Sequence, residues 1–251
     1  MDTQRSFSFS SFDGTELAVH RMGAGRPVLL LHGLFSSAEM NWVRFGHAGK
    51  LADAGFEAIM PDLRAHGASG KPHDPESYPP GVLARDVAAL VAALELDDYD
   101  LVGFSLGART AARSVIEGQR PRRLVLAGMG LEGLAGWNRR AAYFIDAIDR
   151  FDQVKRGDPA FMPVSFMKTM KIDRVAARLL LQAVDDTDPG ELARITMPTL
   201  VLCGDKDDDN GSAERLAATL PDARHVTIPG THMGSVTEGA LGDELVAFLG
   251  G

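Results

Sequence analysis

Short apolar runs that alternate with longer amphipathic stretches are the feature that most constrains how this chain folds. The runs lie at Val28–Leu31, Glu57–Met60, Tyr99–Val102, Leu124–Ala127, Thr199–Cys203 and Val226–Ile228. Runs that are apolar throughout are typical of strands buried on both faces, as in a parallel sheet. Apolar residues recur at helical spacing in the stretches Val82–Leu94, Leu106–Glu117 and Leu241–Leu249. This alternation predicts βαβ units.

Two further strands are predicted near the N-terminus. Ser6–Ser10 and Leu17–Arg21 flank a turn at Asp13-Gly14, a pairing typical of an antiparallel hairpin. Together with the six apolar runs, they predict an α/β fold with a mostly parallel eight-stranded sheet flanked by helices.

The alternation is interrupted once, between residues 127 and 199. The chain there carries helical patterns at Asn138–Phe151 and Lys171–Val184, separated by a Pro-containing stretch around Asp158–Pro163. A connection of this length with elements of its own is typical of an active-site lid. The sequence therefore predicts a core formed by residues 1–127 and 199–251 and a helical lid, or cap, at 128–198.

Composition restricts the partners of this chain. The 26 Lys and Arg against 34 Asp and Glu give a formal net charge of −8. Nucleic acids and anionic membranes need a positive surface, so neither is an expected partner. The N-terminal residues lack the pattern of a signal peptide, no apolar stretch reaches 18 residues, and the single Cys203 has no disulfide partner. We expect a cytoplasmic enzyme or binding protein of undetermined oligomeric state.

The strongest chemical signal is Gly103-Phe104-Ser105-Leu106-Gly107, which follows one predicted strand and precedes a predicted helix. In this context G-x-S-x-G forms a sharp turn that exposes the serine at the carboxyl edge of the sheet. Glycines flank it because a tight, strained turn leaves no room for side chains. The pattern predicts that Ser105 is a nucleophile.

A serine nucleophile needs a histidine base and an acid that orients the base. His232 follows the last predicted strand, where a loop faces the same crevice as Ser105. His20 falls inside the hairpin, while His47, His73 and His225 have the pattern of solvated or strand-edge residues. His232 is therefore the predicted base.

The acid is sought in the loop after strand Thr199–Cys203, which also opens on the carboxyl edge. That loop holds four aspartates, at positions 205, 207, 208 and 209. The residue types alone leave the choice among them open.

The whole chain resembles the α/β-hydrolase superfamily, in its serine-nucleophile, esterase-like branch with a helical lid. The resemblance is carried by residues 103–107, by His32-Gly33-Leu34-Phe35 and by Asp62-Leu63-Arg64-Ala65-His66-Gly67-Ala68-Ser69. It implies that Asp207 is the triad acid, with Asp205 and Asp208 as alternatives. It also implies that the N–H groups of Leu34 and Leu106 form the oxyanion hole. His32 and the 62–69 segment are implied to be scaffold.

The same resemblance implies an activity. Ser105, His232 and Asp207 would cleave a carboxylic ester or related acyl bond of a small molecule through an acyl-enzyme, without a metal or organic cofactor. Carbon–carbon bond hydrolases, enol-lactonases and perhydrolases of this fold use the same triad and remain alternatives, as does a binding protein with a slow triad. Haloalkane dehalogenases and epoxide hydrolases place aspartate at the elbow, so Ser105 argues against both.

Candidate substrate contacts are the residues expected near the elbow and the lid. They are Phe35, Phe104, Met129 and Trp137. Arg139 and Arg140 are interpreted as solvated neighbours on a helix, with contact to a substrate carboxylate as the alternative.

A competing motif, G-x-G-x-x-G, spans Gly128–Gly133 after a predicted strand. A dinucleotide site would also need a second strand carrying an acid about twenty residues later. The aspartates near that distance, Asp146, Asp149 and Asp152, fall in a helical stretch. Nucleotide binding is therefore not the expected function.

Overall fold

The structure, a computed structural model, describes residues 4–251. The first three residues of the predicted core lie outside the described residues. The strands are β1 Arg5–Ser10, β2 Glu16–Gly23, β3 Arg26–Leu31, β4 Phe56–Pro61, β5 Asp100–Phe104, β6 Leu124–Ala127, β7 Thr199–Lys206 and β8 Ala223–Thr231.

Helices follow most of these strands. They are α1 His47–Asp53, α2 Val82–Ala93, α3 Leu106–Ile116, α4 Leu131–Ala135, α5 Trp137–Asp149, α6 Phe161–Thr169, α7 Arg174–Ala183, α8 Ala213–Thr219, α9 His232–Ser235 and α10 Gly239–Gly250. One π-helical segment, Glu39–Val43, and two 3₁₀ segments, Pro75–Ser77 and Pro189–Arg194, complete them.

The eight strands form one sheet in the order β1-β2-β4-β3-β5-β6-β7-β8. Strand β2 runs antiparallel to both of its neighbours, β1 and β4, while the other neighbouring strands pair in parallel. The predicted mostly parallel eight-stranded sheet flanked by helices is confirmed. After β3 the chain forms β4, which pairs with one edge of β3, and then crosses over to form β5, which pairs with its other edge. In open α/β sheets, ligands bind at such a switch point.

The sheet separates two hydrophobic cores because alternate residues of each buried strand face opposite sides. In β3, Leu29 and Leu31 face the core shared with α2, α3 and α8, whereas Val28 and Leu30 face the core beneath α1 and α10. All four side chains are fully buried. The alternation fixes the sheet between two helical layers, and the parallel pairing of β3 to β8 places their carboxyl ends at one edge.

The segment 128–198, named here the helical insertion, carries α4, α5, α6 and α7 and no strand among its described residues. Its α7 is capped at the N-terminus by Asp173, whose carboxylate accepts hydrogen bonds from the N–H groups of Val175 and Ala176 at 3.0 Å. The buried guanidinium of Arg109 on α3 donates to the carbonyls of Gly133, Leu134 and Asp185. The start of the helical insertion and the segment that follows α7 are therefore both attached to α3.

Some elements differ from the sequence pattern. The stretch predicted as a Pro-containing separator holds the start of α6, where Pro163 occupies the third position. Proline is tolerated in the first turn of a helix because its missing N–H would have no partner there. Strand β8 continues through Thr231, so the expected loop before His232 is part of the strand.

Candidate active site

Ser105 lies at the turn between β5 and α3, with φ 54° and ψ −110°. A non-glycine residue in this region is strained. A Cβ added at Gly103 would overlap the Gly107 carbonyl, and one added at Gly107 would overlap the Leu31 carbonyl, so both flanking positions require glycine. The Ser105 N–H donates to the Ala127 carbonyl at 2.8 Å, which fixes the turn against β6.

His232 lies between Ser105 and Asp207. Its Nε2 is 3.0 Å from the Ser105 Oγ, and its Nδ1 is 2.9 Å from the Asp207 Oδ2. The Asp207 carboxylate accepts from Nδ1–H, which leaves Nε2 free to accept the Ser105 proton. The Asp207 side chain is 1% exposed and that of His232 is 9% exposed. The hydrogen-bonded series Ser105–His232–Asp207, named here the relay, is therefore shielded from solvent. The Phe104 ring lies 5.1 Å from the imidazole, centre to centre.

The neighbouring aspartates have other positions. Asp205 accepts a hydrogen bond from the Gly230 N–H at 2.8 Å, which joins β7 to the end of β8 before His232. Asp208 and Asp209 are exposed. Of the loop's four aspartates, Asp207 alone contacts the imidazole of His232.

In the loop after β3, the N–H groups of Gly33 and Phe35 are hydrogen-bonded to side chains, and they flank the N–H group of Leu34. The Gly33 N–H donates to the Asn41 Oδ1 at 3.0 Å, and the Phe35 N–H donates to the His66 Nε2 at 2.9 Å. Neither the Leu34 N–H nor the Leu106 N–H has an acceptor among the described residues. Both leucines line the cavity beside Ser105. This arrangement suits an oxyanion between the two N–H groups.

His32 and His66 brace this loop. The His32 Nε2 accepts from the Leu63 N–H at 2.9 Å while its Nδ1–H donates to the Gly33 carbonyl at 2.8 Å. Complete burial lowers the pKa of both histidines, that of His66 to about 3, so both rings are neutral. His32 and His66 therefore act as fixed hydrogen-bonding groups.

The 62–69 segment links several loops. The Asp62 carboxylate accepts from the N–H groups of Ala38 and Ala68 at 2.8 and 2.7 Å. The fully buried Arg64 pairs with Asp86 at 2.7 Å. These contacts are those of a scaffold, as the sequence predicts.

The Gly128–Gly133 segment packs against the loop that carries Asp207. A Cβ at Gly130 would overlap the backbone of Gly211, and one at Gly133 would lie 2.7 Å from the Asn210 Cβ. The Gly133 N–H donates to the Asn210 carbonyl, and the Asn210 Nδ2 donates to the Gly128 carbonyl, both at 2.8 Å. The glycine pattern is thus explained by close packing onto the acid-bearing loop.

A cavity of about 710 Å³ opens beside Ser105 and His232. All four predicted substrate contacts line it: Phe35, Phe104, Met129 and Trp137. The rest of its surface is mostly apolar, and α5, α6 and the loop after β3 all contribute apolar side chains to it. Its volume falls within the range of about 300–1,000 Å³ typical of small-molecule sites.

A family model described as the alpha/beta hydrolase family matches residues 28–243. The chain belongs to this family. A solved hydrolase from Pseudomonas aeruginosa is 28% identical to it, with a TM-score of 0.76 over 98% of this chain and 99% of that chain.

Two sequence relatives extend the comparison of this α/β hydrolase. A non-heme haloperoxidase of Rhodococcus erythropolis is 28% identical over 94% of this chain and 97% of its own length. An epoxide hydrolase of Caballeronia sordidicola is 37% identical over 44% of this chain, a match that spans 32% of that enzyme's length.

Sequence reasoning missed some residues that line the cavity of this α/β hydrolase and was wrong about two others, His47 and Arg140. Asn41 lines the cavity and accepts a hydrogen bond from the Gly33 N–H, and Arg109 reaches the cavity from one helical turn beyond Ser105.

His47, interpreted as solvated or strand-edge, is fully buried and donates through Nε2 to the Val236 carbonyl at 2.6 Å. Its partner is 189 residues away, so no local pattern could reveal it. Arg140, interpreted as solvated, is half-buried and lines the cavity.

Other chemical groups of the hydrolase lie outside this relay. Burial raises the pKa of the Cys203 thiol to about 12, and its Sγ–H donates to the Met129 carbonyl. Among residues 4–251, no group of three or more His, Cys, Asp or Glu side chains is arranged to hold a metal ion. Within the same residues, the helices are all too short or too polar to cross a membrane.

Proposed function

We propose that this α/β hydrolase cleaves a carboxylic ester or a related acyl bond with Ser105 as nucleophile. The observation that carries the proposal is the relay from the Ser105 Oγ through the His232 imidazole to the Asp207 carboxylate, with contacts of 3.0 and 2.9 Å. Nucleophile, base and orienting acid within hydrogen-bond reach are the arrangement that acyl transfer needs.

The proposed reaction has two halves. The Ser105 Oγ attacks the acyl carbon while His232 takes its proton, and the N–H groups of Leu34 and Leu106 stabilise the oxyanion. His232 returns the proton to the leaving alcohol, which departs and leaves the acyl group on Ser105. Water, deprotonated by His232, then attacks the acyl-enzyme and releases the acid. Asp207 holds the imidazole tautomer and stabilises the imidazolium throughout.

The helical insertion is proposed to act as a lid. Met162 on α6 is 74% exposed and Met233 on α9 is 54% exposed, and both line the cavity. Exposed methionines at a cavity mouth favour a substrate that is partly hydrophobic, because these flexible side chains adapt to irregular apolar groups. The substrate class supported is thus a small or medium ester.

The proposal is tested with p-nitrophenyl acetate, butyrate, hexanoate and octanoate. We expect turnover in the wild type and a loss of at least about 10⁴-fold in kcat in Ser105→Ala. Asp207→Asn should lose about as much because it fixes the wrong imidazole tautomer, whereas the matched control Asp208→Asn, on an exposed neighbour, should keep its activity.

Two results would contradict the ester proposal. Turnover that persists in Ser105→Ala would remove Ser105 as nucleophile. Absence of turnover on every ester would favour a carbon–carbon bond hydrolase or a binding protein. A fluorophosphonate that labels Ser105 would then favour the first of these two.

A further inference from the structure

The cavity beside Ser105 carries positive charge that no protein carboxylate neutralises directly. Three arginines line it, Arg109, Arg139 and Arg140, against one acidic residue, Asp209. Within residues 4–251, no carboxylate oxygen lies within 4.0 Å of any of the three guanidinium groups. This positive bias is local, since the chain as a whole has a net charge of −8.

Arg140 has hydrogen-bond donors available at the cavity. Its Nη1 donates to the backbone carbonyl of Asp209, and its guanidinium lies 5.8 Å from the centre of the Phe144 ring one helical turn away. Its Nε and Nη2 have no acceptor among the described residues. Burial lowers the pKa of this side chain, yet a guanidinium remains charged at neutral pH. Arg140 therefore presents a partly desolvated, partly unpaired cation to whatever enters the cavity.

The other two arginines differ from Arg140. Arg109 is 3% exposed, and three backbone carbonyls of the helical insertion occupy its Nη1 and Nη2. Its Nε is buried without an acceptor among the described residues, and the three carbonyls hold the guanidinium in place, so Arg109 contributes a fixed charge. Arg139 is exposed at the rim. Arg140 is thus the arginine best placed to meet a bound anion.

The charges of Asp209 and Asp207 favour the Arg140 cation, but neither carboxylate pairs with it directly. A charged group that is partly removed from water without a direct ion pair lowers stability. A ligand carboxylate would compensate this cost through charge-assisted hydrogen bonds, for which the planar guanidinium fork is well suited. We propose that the substrate is an ester that also carries an ionised carboxylate at a distance from the ester group, and that Arg140 binds this carboxylate. The inference rests on the proposed ester hydrolysis and names its substrate class.

The test compares two esters that differ at one end. Monoethyl adipate carries a terminal carboxylate where ethyl hexanoate carries a methyl group. We expect the wild type to favour monoethyl adipate in kcat/KM, followed as acid release at constant pH. Arg140→Gln should reduce this preference ratio at least tenfold, mainly through KM, and Arg140→Lys should retain part of it. The ratio cancels any disturbance of the acid-bearing loop, because both esters use the same relay.

The matched control is Arg156→Gln, which removes the same charge from an exposed position of the helical insertion that does not line the cavity. This control should keep the wild-type ratio. A ratio that stays within twofold of wild type in Arg140→Gln, with far-UV circular dichroism unchanged, would overturn the inference. Wild-type preference for ethyl hexanoate would do the same.

Failure of the proposed function is distinguishable from failure of this inference. If neither of these esters nor any p-nitrophenyl ester is hydrolysed, the ester proposal fails. In that case, and whenever both ethyl esters are inert, calorimetric titration of adipate into Ser105→Ala tests the anion site directly. Binding that is lost in Ser105→Ala/Arg140→Gln would support the carboxylate site. Absence of adipate binding to Ser105→Ala would refute it.

Discussion

The backbone of one residue, Phe35, controls which N–H group of the loop after β3 is available to an oxyanion. Phe35 has φ 59°, and in this conformation its N–H reaches the buried His66 while the Gly33 N–H is held by Asn41. Proline has no N–H and a φ fixed near −65°, so it cannot adopt this conformation. The loop therefore has a form that depends on a non-proline residue at position 35.

We predict that Phe35→Pro loses about 100-fold or more in kcat, because the rebuilt loop displaces the Leu34 N–H, and loss of one oxyanion donor costs about 10²–10³-fold. Phe35→Leu is the matched variant, since it keeps the N–H and removes only the ring that packs at 5.6 Å on Phe144. Kinetics on p-nitrophenyl butyrate, with far-UV circular dichroism to establish folding, would compare them. Equal losses in both variants would show that the ring, and not the N–H, matters.

The loop that carries Asp207 takes its shape from an element distant in sequence. The Gly128–Gly133 segment contacts it through the Gly133 N–H, which donates to the Asn210 carbonyl, through the Gly128 carbonyl, which accepts from the Asn210 side chain, and through two positions where only glycine fits. The Asp207 Oδ1 accepts the Asp209 N–H at 3.2 Å, so a displacement of residues 209–211 is transmitted to the carboxylate that orients His232. We infer that the start of the helical insertion sets the position of the acid.

We predict that Gly133→Ala lowers kcat about tenfold or more, because the added Cβ would lie 2.7 Å from the Asn210 Cβ and 2.8 Å from its carbonyl oxygen. Gly49→Ala is the control with the same substitution. Gly49 lies within α1, and a Cβ there meets no atom within 4 Å, so this variant should keep its activity and gain helix stability. Ester kinetics in both variants, with thermal unfolding, provide the measurement. Unchanged kcat in Gly133→Ala would separate this segment from the acid's position.

The elements that the sequence predicts well are those with a repeating local signal. The apolar runs and the long amphipathic stretches predict the strands and α2, α3 and α10, and the strand–turn–helix context singles out Ser105. The short α4, α6 and α8 have too few turns for a periodic pattern to emerge. The choice of Asp207 needed the family resemblance, because four aspartates share one loop and only the fold brings one of them to His232. Asn41 and Arg140 have no motif, since their roles arise from packing between distant segments.

At the scale of the whole molecule, three buried histidines join parts of the chain that are far apart in sequence. His32 binds Leu63, His66 binds Phe35 and His47 binds Val236. Burial lowers the pKa of each imidazole below its ordinary value of 6.5. The unfolded chain takes up these protons near pH 6.5, but the folded chain takes them up only at lower pH. Their contribution to stability is therefore complete above pH 6.5 and is lost as the pH falls toward the folded pKa, about 3 for His66.

We predict that, as the pH falls from 6.5 to 5, the free energy of unfolding of the wild type decreases relative to that of His66→Gln, with slopes that differ by about one proton, or about 1.4 kcal/mol per pH unit. Burial raises the pKa of Asp86, Asp100 and Glu117, which acts in the opposite direction but equally in both proteins. The side-chain carbonyl of the introduced glutamine would still accept the Phe35 N–H. Asp62 raises the pKa of His20, so that histidine acts in the opposite direction and at higher pH. The lowered pKa values of Asp13 and Asp62 act only at lower pH.

Urea unfolding of both proteins at several pH values between 5 and 6.5 gives the slopes. Equal slopes in wild type and His66→Gln, or an imidazole NMR signal of His66 that titrates near pH 6.5, would contradict a neutral, buried His66.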